Sequence, residues 1–447
     1  MNETAIKNRV TANFPNTIAD LKELVAIQSV SSLPSHEPQM DQSANWIAAR
    51  ARALGLDTQI IQLQTAENGT GRPAILATRP AAPGKRTVLL YAHHDVQPTG
   101  DIALWDTEPF VAEVKGDRIY GRGAADDKAG VLLHLAAIAA AEPGAGIVLF
   151  IEGEEEVGSP TFVDFLHKYQ DQLAADLIVV ADSNNWEVGT PSLTTSLRGV
   201  ATLEVELRVL DHALHSGMYG GSVLDSVTLA ARLIATLHDE SGDVAVAGLA
   251  GSDQTDVDYA ETQLRTDAGV LPGVELAGTG SLTSRIWTKP AISVIAMDAT
   301  SIEQAANTIS AHTKFVLSLR VSPEQDTASA AAALRDHLLA NAPFGAEVTV
   351  DIVETGPGFT AGQDTELTKL GRAALAAAWG KEPVDIGVGG SIPFISDLAE
   401  VFPESTILVT GVEDPDTRAH SANESLHLGD WQNAIVAEAL LLSELAK

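Results

Sequence analysis

Apolar positions recur at near-helical spacing over residues 16–28, where Ile18, Leu21, Leu24, Val25 and Ile27 share one side, and again over 44–54 before a terminating Gly55. Two amphipathic helices are therefore expected to open the chain. Three short, continuous apolar runs follow at 87–92, 146–151 and 177–181. Runs of that length read as strands buried on both faces. The Ala- and Leu-rich stretch 128–141 separates the first two and reads as a helix, so the alternation predicts an α/β sheet with helical layers.

The texture changes near Leu193. Over 201–209, Leu203, Val205, Leu207 and Val209 alternate with Glu204, Glu206 and Arg208, the pattern of a half-exposed strand. A helix at 225–237 comes next, then a polar stretch at 239–284 rich in Gly and Asp. Strands at 291–296 and 314–321, a helix at 327–340 and a strand at 346–353 complete the order β-α-β-β-α-β of a ferredoxin-like unit. Thr355-Gly-Pro-Gly358 punctuates its end, and a helix over 364–379 resumes the first texture. The reading is a core domain in two pieces, 1–192 and 359–447, interrupted by a smaller α+β domain at 193–358.

Composition narrows the partners. The chain has 447 residues, and 60 Asp+Glu against 28 Lys+Arg leave a formal charge of −32 with histidine neutral. Such a charge repels phosphate backbones and anionic lipid, so neither nucleic acid nor a membrane surface is an expected partner. With 45% hydrophobic residues this is not a disordered acidic tail. Cysteine is absent, which removes disulfides, thiolate metal sites and cysteine nucleophiles together and accords with a cytoplasmic setting. Residues 1–16 contain no apolar stretch of the kind a secretory signal needs, and nothing approaches the run of about 20 apolar residues of a membrane span.

The three apolar runs end in His93-His94-Asp95, Glu152 to Glu156, and Asp182. Functional sites of open α/β sheets form at the carboxyl ends of strands, so His93, Asp95, Glu155, Glu156 and Asp182 are expected to converge. Asp126-Asp127 and His420, on loops, are further candidates. Imidazoles and carboxylates without sulfur suit Zn²⁺, Mn²⁺ or Co²⁺, and the excess of carboxylates favours a pair of cations over a single one. Asp95 lies two residues from His93 and is placed to accept the ring N–H not used for metal. Glu155 and Glu156 can both reach such a site only where their strand has ended.

The blocks His93-x-Asp95-Val-Gln-Pro98, Gly121-Arg-Gly-x-x-Asp126-Asp-Lys128, Glu152-Gly-x-Glu155-Glu156-x-Gly-Ser159, Asp182, His215-Ser-Gly217, Gly389-Gly-Ser-Ile-Pro393 and Ala419-His-Ser-x-Asn-Glu424 together resemble the M20 metallopeptidases, and among them the cytosolic dipeptidase (carnosinase-like) branch. The resemblance implies a zinc-peptidase-like catalytic domain with a central mixed sheet, interrupted by a ferredoxin-like lid that dimerises. It implies two divalent metal ions, zinc first and Mn or Co as alternatives. Asp126 would bridge them, with His93 and Asp182 completing one site and Glu156 and His420 the other. Glu155 would be the general base. His215 would stabilise the oxyanion, reaching the partner subunit's site. Arg320, with Asn307, would grip a substrate carboxylate, which Ser391 and the N–H groups of Gly389 and Gly390 would hold from the other side. The Asp126-Asp127 peptide is a candidate for the cis bond of that family. The implied activity is hydrolysis of dipeptides or small peptides with a free C-terminal carboxylate; removal of the acyl group from N-acyl amino acids is the alternative. Two departures stand out: Gly387 replaces an arginine of that branch, and the lid block reads Asn307-Thr-Ile-Ser310 where Asn-x-Ile-Pro is usual.

Overall fold

The computed structural model describes residues 3–361, 365–390 and 393–447. Two compact units emerge. One comprises Met1–Thr194, Ala361–Asp385 and Asp397–Lys447; the other comprises Thr195–Thr360 and Ile386–Ser396. The strip Ile386–Ser396 therefore groups with the inserted unit, inside a stretch that the sequence pattern assigns to the core domain.

The first unit is built on a six-stranded mixed sheet in the order Asp57–Ile61, Ala74–Arg79, Gly146–Glu152, Thr87–His93, Leu177–Val180, Thr406–Val409. Thr87–His93 lies inside the sheet and runs parallel to both neighbours, and its residues from Val88 to His93 are all buried. That explains the unbroken apolar runs, since a strand covered on both faces has no side to leave polar. Helices Glu3–Val25, Lys128–Ala140 and Leu428–Leu445 pack against one another, and Glu366–Trp379 packs on the last. Trp431, fully buried, donates its indole N–H to the Ala129 carbonyl at 3.1 Å.

The first helix begins at Glu3, well before the apolar spacing at residue 16, and contains Pro15. An interior proline costs about 3 kcal/mol. Against that, Ile6 and Val10 are buried and Phe14 meets the Trp431 ring edge-on at 5.4 Å. Each buried side chain contributes about 1.5–3 kcal/mol, so packing outweighs the break. The second helix, Glu37–Ala53, likewise starts earlier than its apolar stripe, with a proline in its first turn. The 366–379 helix matches the expected element; Asp364, its expected first residue, is outside the described residues.

The second unit holds a four-stranded antiparallel sheet, ordered Ala291–Met297, His312–Val321, Gly199–Arg208, Glu347–Gly356. Leu203, Val205 and Leu207 are buried, while their alternates are partly or fully exposed. The apolar face is covered by Ser226–Ile234 and Thr327–Ala340 through Leu229, Leu233, Leu334 and Leu338. This is the ferredoxin-like order. The polar stretch contains the short helix Glu261–Asp267, and a second, Leu282–Trp287, begins at its end. Among the described residues, no helix is long and apolar enough to cross a membrane.

Candidate metal centre

Register brings the site together. His93 pairs with Glu152 and Tyr91 with Val180, so three strands end at one edge of the sheet, with Glu155, Glu156 and Asp182 just beyond it. The strand ends at Glu152, and Glu155–Val157 forms a 3₁₀ turn, which frees two adjacent glutamates from the strand's alternation. Asp126 lies two residues before helix Lys128–Ala140 and is joined by a cis peptide bond to Asp127, which caps that helix. His420, at φ +61°, comes from the loop after Thr406–Val409.

Asp126 offers one oxygen to each imidazole. Its Oδ1 lies 3.1 Å from His93 Nε2, and its Oδ2 lies 3.0 Å from His420 Nε2. Asp182 Oδ1 stands 3.8 Å from His93 Nε2, and Glu156 Oε2 stands 3.2 Å from His420 Nε2. The result is two triads that share Asp126: His93, Asp126, Asp182 and Asp126, Glu156, His420, with the donor atoms of each within 4.8 Å of one another. Nitrogen and carboxylate oxygen donors in compact threes fit borderline first-row dications.

The titration of these groups points the same way. Hydrogen bonds to Asp126 and Glu156 push His420 up to about 11. Burial alone would lower His93, yet its contacts with Asp126 and Asp95 outweigh burial and raise it well above the usual range. Burial, with the charges of Asp126 and Glu156, pushes Asp182 up to about 7. The metal-free chain thus gathers protons where its carboxylates crowd, which is the charge that cations would supply. Burial also holds Glu155 well above the ordinary carboxyl range, with Asp182, Asp95 and Glu156 adding to it.

The supporting groups were only partly legible in advance. Asp95 does not serve His93 mainly through its carboxylate. His93 Nδ1 is 3.1 Å from the Asp95 main-chain oxygen and 3.4 Å from Oδ1. The carboxylate instead accepts the N–H groups of Glu155 and Glu156 at 3.2 and 3.0 Å, because the strand ends at His93 and the chain turns. Gln97 holds Glu156 by its N–H at 3.0 Å and its side-chain amide at 2.7 Å. Glu424, fully buried, pairs with Arg122 at 2.6 Å and accepts from Gly123, Ala125 and Asp126 N–H, fixing the loop that presents Asp126. Lys128 donates to the Leu24 and Ile27 carbonyls, tying that loop to the end of the first helix. Gln97 and Glu424 fall within the quoted sequence blocks, and that position was their only signal.

Behind the site, Tyr91 donates its hydroxyl to Glu152 at 2.6 Å, and burial pushes the Glu152 carboxyl up to about 8. A carboxyl titrating near 4.3 when unfolded then takes up a proton on folding between about pH 4 and 8, so its contribution is full at low pH and lost as pH rises. Glu152→Gln keeps the acceptor for Tyr91 and is expected to flatten that fall, gaining on the order of a few kcal/mol over the parent at pH 8. Denaturant unfolding of the metal-free proteins from pH 4 to 8 checks this; parallel curves would refute it.

The expected substrate-binding residues lie in the second unit. His215 pairs with Thr308 in a short ladder, accepts the Gly217 N–H at its Nδ1, and precedes Ser216, whose N–H donates to the Asn307 carbonyl at 2.9 Å. His215 and Asn307 are thus neighbours. Arg320 stands on the inner strand His312–Val321, opposite Val200 and Ala291. Arg198, unremarked in the sequence, donates to the Gly389 carbonyl at 3.1 Å, and burial together with the Arg320 charge lowers it to about 10. Gly387 has a steric reason: a Cβ there would come within 2.6 Å of Trp287 Cβ. Ser391 lies outside the described residues, and Gly390 precedes it.

Residues 89–444 match the sequence model of peptidase family M20/M25/M40. A cysteinylglycine-S-conjugate dipeptidase of Corynebacterium striatum is 31% identical over 453 residues, spanning 99% of this chain and 98% of that protein. The human Beta-Ala-His dipeptidase is 25% identical over 462 residues, spanning 96% of this chain and 90% of that one. Among solved structures, human carnosine dipeptidase 1 shares the fold with a TM-score of 0.80 at 23% identity, covering 100% of this chain and 99% of that one.

Proposed function

We propose, for a chain that belongs to peptidase family M20/M25/M40, that it hydrolyses the amide bond of dipeptides and similarly small peptides with a free C-terminal carboxylate. The chain is a metal-dependent peptidase of that family; its substrate, its two cations and their identity as zinc, and the role of each residue are the proposed part. The observation that carries the reading is the pair of triads sharing Asp126 beside an unallocated, half-buried Glu155.

His93, Asp126 and Asp182 would hold one cation, and Asp126, Glu156 and His420 the other. Bound there, a dication pair supplies Lewis-acid polarisation of the scissile carbonyl and lowers the pKa of water. Glu155 takes the proton from the attacking water and returns it to the departing amine, a role its raised affinity for protons supports. Asp95 keeps Glu155 and Glu156 in place through their N–H groups. His215 donates to the developing oxyanion. Arg320, with Asn307, Ser391 and the Gly389-Gly390 N–H groups, reads the terminal carboxylate, and a guanidinium suits that task because its fork matches the two oxygens.

The reading extends to a cytoplasmic homodimer through the inserted unit. Support for a dimer comes from the edge strand Ala291–Met297, which leaves Val294, Ile295 and Met297 exposed. A monomer in sedimentation velocity at micromolar concentration would overturn that part. The substrate assignment is tested by assaying dipeptides, C-terminally amidated dipeptides and N-acetyl or N-succinyl amino acids with Zn²⁺, Mn²⁺ and Co²⁺ supplied separately. Free dipeptides are expected to be cleaved fastest; faster turnover of N-acyl amino acids would replace the dipeptidase reading by deacylation.

A further inference from the structure

Glu413 lies on the loop that leads from strand Thr406–Val409 to His420. Its N–H donates to the Ser183 carbonyl at 3.3 Å and its own carbonyl accepts the Asn185 N–H at 2.8 Å, so its backbone is stitched to the segment immediately after Asp182. The next residue, Asp414, is committed elsewhere: buried, it accepts from Arg118 with both oxygens, at 3.0 and 2.9 Å. Glu413 differs. Its side chain is only partly exposed, and among the described residues it has no hydrogen bond or ion pair. It belongs to neither triad, yet it is near enough for the charges of Asp126, Asp182 and His420 to act on it.

We propose that Glu413 receives the free α-ammonium of the substrate's N-terminal residue, and so selects peptides over N-acyl amino acids. The proposal rests on the dipeptidase reading above and deepens it. The scissile carbonyl carbon and the α-nitrogen are two bonds of about 1.5 Å apart, so a peptide whose carbonyl lies at the triads must bring its ammonium close by. The acid held at their rim by its own backbone is Glu413. An ammonium beside this half-buried, unpaired carboxylate supplies the counter-charge it lacks. An acyl group brings no charge and leaves the carboxylate partly desolvated beside an uncharged neighbour, which is the disfavoured outcome.

The test compares alanyl-alanine with propanoyl-alanine, the same skeleton without the amine, in the metal-loaded parent, Glu413→Gln and Glu413→Asp. For Glu413→Gln, kcat/KM on alanyl-alanine is expected to fall about 10- to 100-fold, mainly through KM, while propanoyl-alanine changes less than about twofold. Metal content should match the parent, and Glu413→Asp should recover part of the loss. Calorimetry provides a readout free of turnover: alanyl-alanine should bind about tenfold or more weakly to Glu155→Gln/Glu413→Gln than to Glu155→Gln. Equal losses on both substrates, or loss of metal, would make Glu413 structural and overturn the proposal, as would unchanged kinetics on alanyl-alanine. A parent that cleaves no dipeptide would instead fell the dipeptidase reading, and this proposal with it.

Discussion

Glu155→Gln is expected to bind divalent cations with the parent's stoichiometry and to hydrolyse dipeptides about 10²- to 10⁴-fold more slowly, the range a positioned general base contributes. Retention of metal follows from geometry. Glu155 belongs to neither triad, while Glu156, its neighbour, is held independently by Gln97 and by the Asp95 carboxylate. Loss of turnover follows from what the carboxamide cannot do, since it keeps the shape and the main-chain bond to Asp95 but accepts no proton. The two quantities separate the roles: elemental analysis after dialysis counts the metal, and steady-state kinetics on a dipeptide measures the chemistry. A Glu155→Gln protein within a few fold of parental kcat would remove Glu155 from the mechanism. A protein that had lost metal would move it into the coordination sphere.

Asp126→Ala should lose both cations together and with them all measurable peptidase activity. Asp126 is the one residue common to both triads, each of its oxygens facing a different imidazole at 3.1 and 3.0 Å. Its removal leaves two donors in each triad, too few to hold a first-row dication against water. The fold should survive, because the loop is anchored through Arg122, Gly123 and Ala125 by Glu424, and Asp127 still caps the following helix through the Gly130 N–H. The parent should therefore gain thermal stability on adding metal, by about 4 kcal/mol at a thousandfold excess over Kd, while Asp126→Ala should gain close to none. Two equivalents of tightly held metal in the variant would show that Asp126 does not bridge.

The expected pattern and the structure agree where periodicity is strong and local. The buried strands at 87–93, 146–152 and 177–180 and the helix Thr327–Ala340 needed nothing beyond their own side chains to declare themselves. They disagree where distant packing intervenes. The N-terminal helix runs through Pro15 because Trp431, far along the chain, covers Phe14. Gly387 is glycine because Trp287 occupies its side-chain space. Asp95 holds the Glu155 turn instead of chiefly orienting His93, because its strand stops two residues before it.

The sequence by itself determined the inventory: which segments are strands buried on both faces, which alternate, and which acids and imidazoles fall at strand ends. Those are properties of a few consecutive residues, governed by the period of a strand or a helix. Only the tertiary structure decided which donors share a neighbour. His93, Asp126, Asp182 and His420 span most of the chain, and they meet because parallel register aligns three strand ends while Glu424 and Lys128 fix the loop between them. It also decided that Asp414 is consumed by Arg118 while Glu413, one residue away, has its backbone joined to the segment after Asp182 and its side chain unpaired among the described residues. Two adjacent acids read alike in sequence; their difference lies in what the folded chain puts beside each.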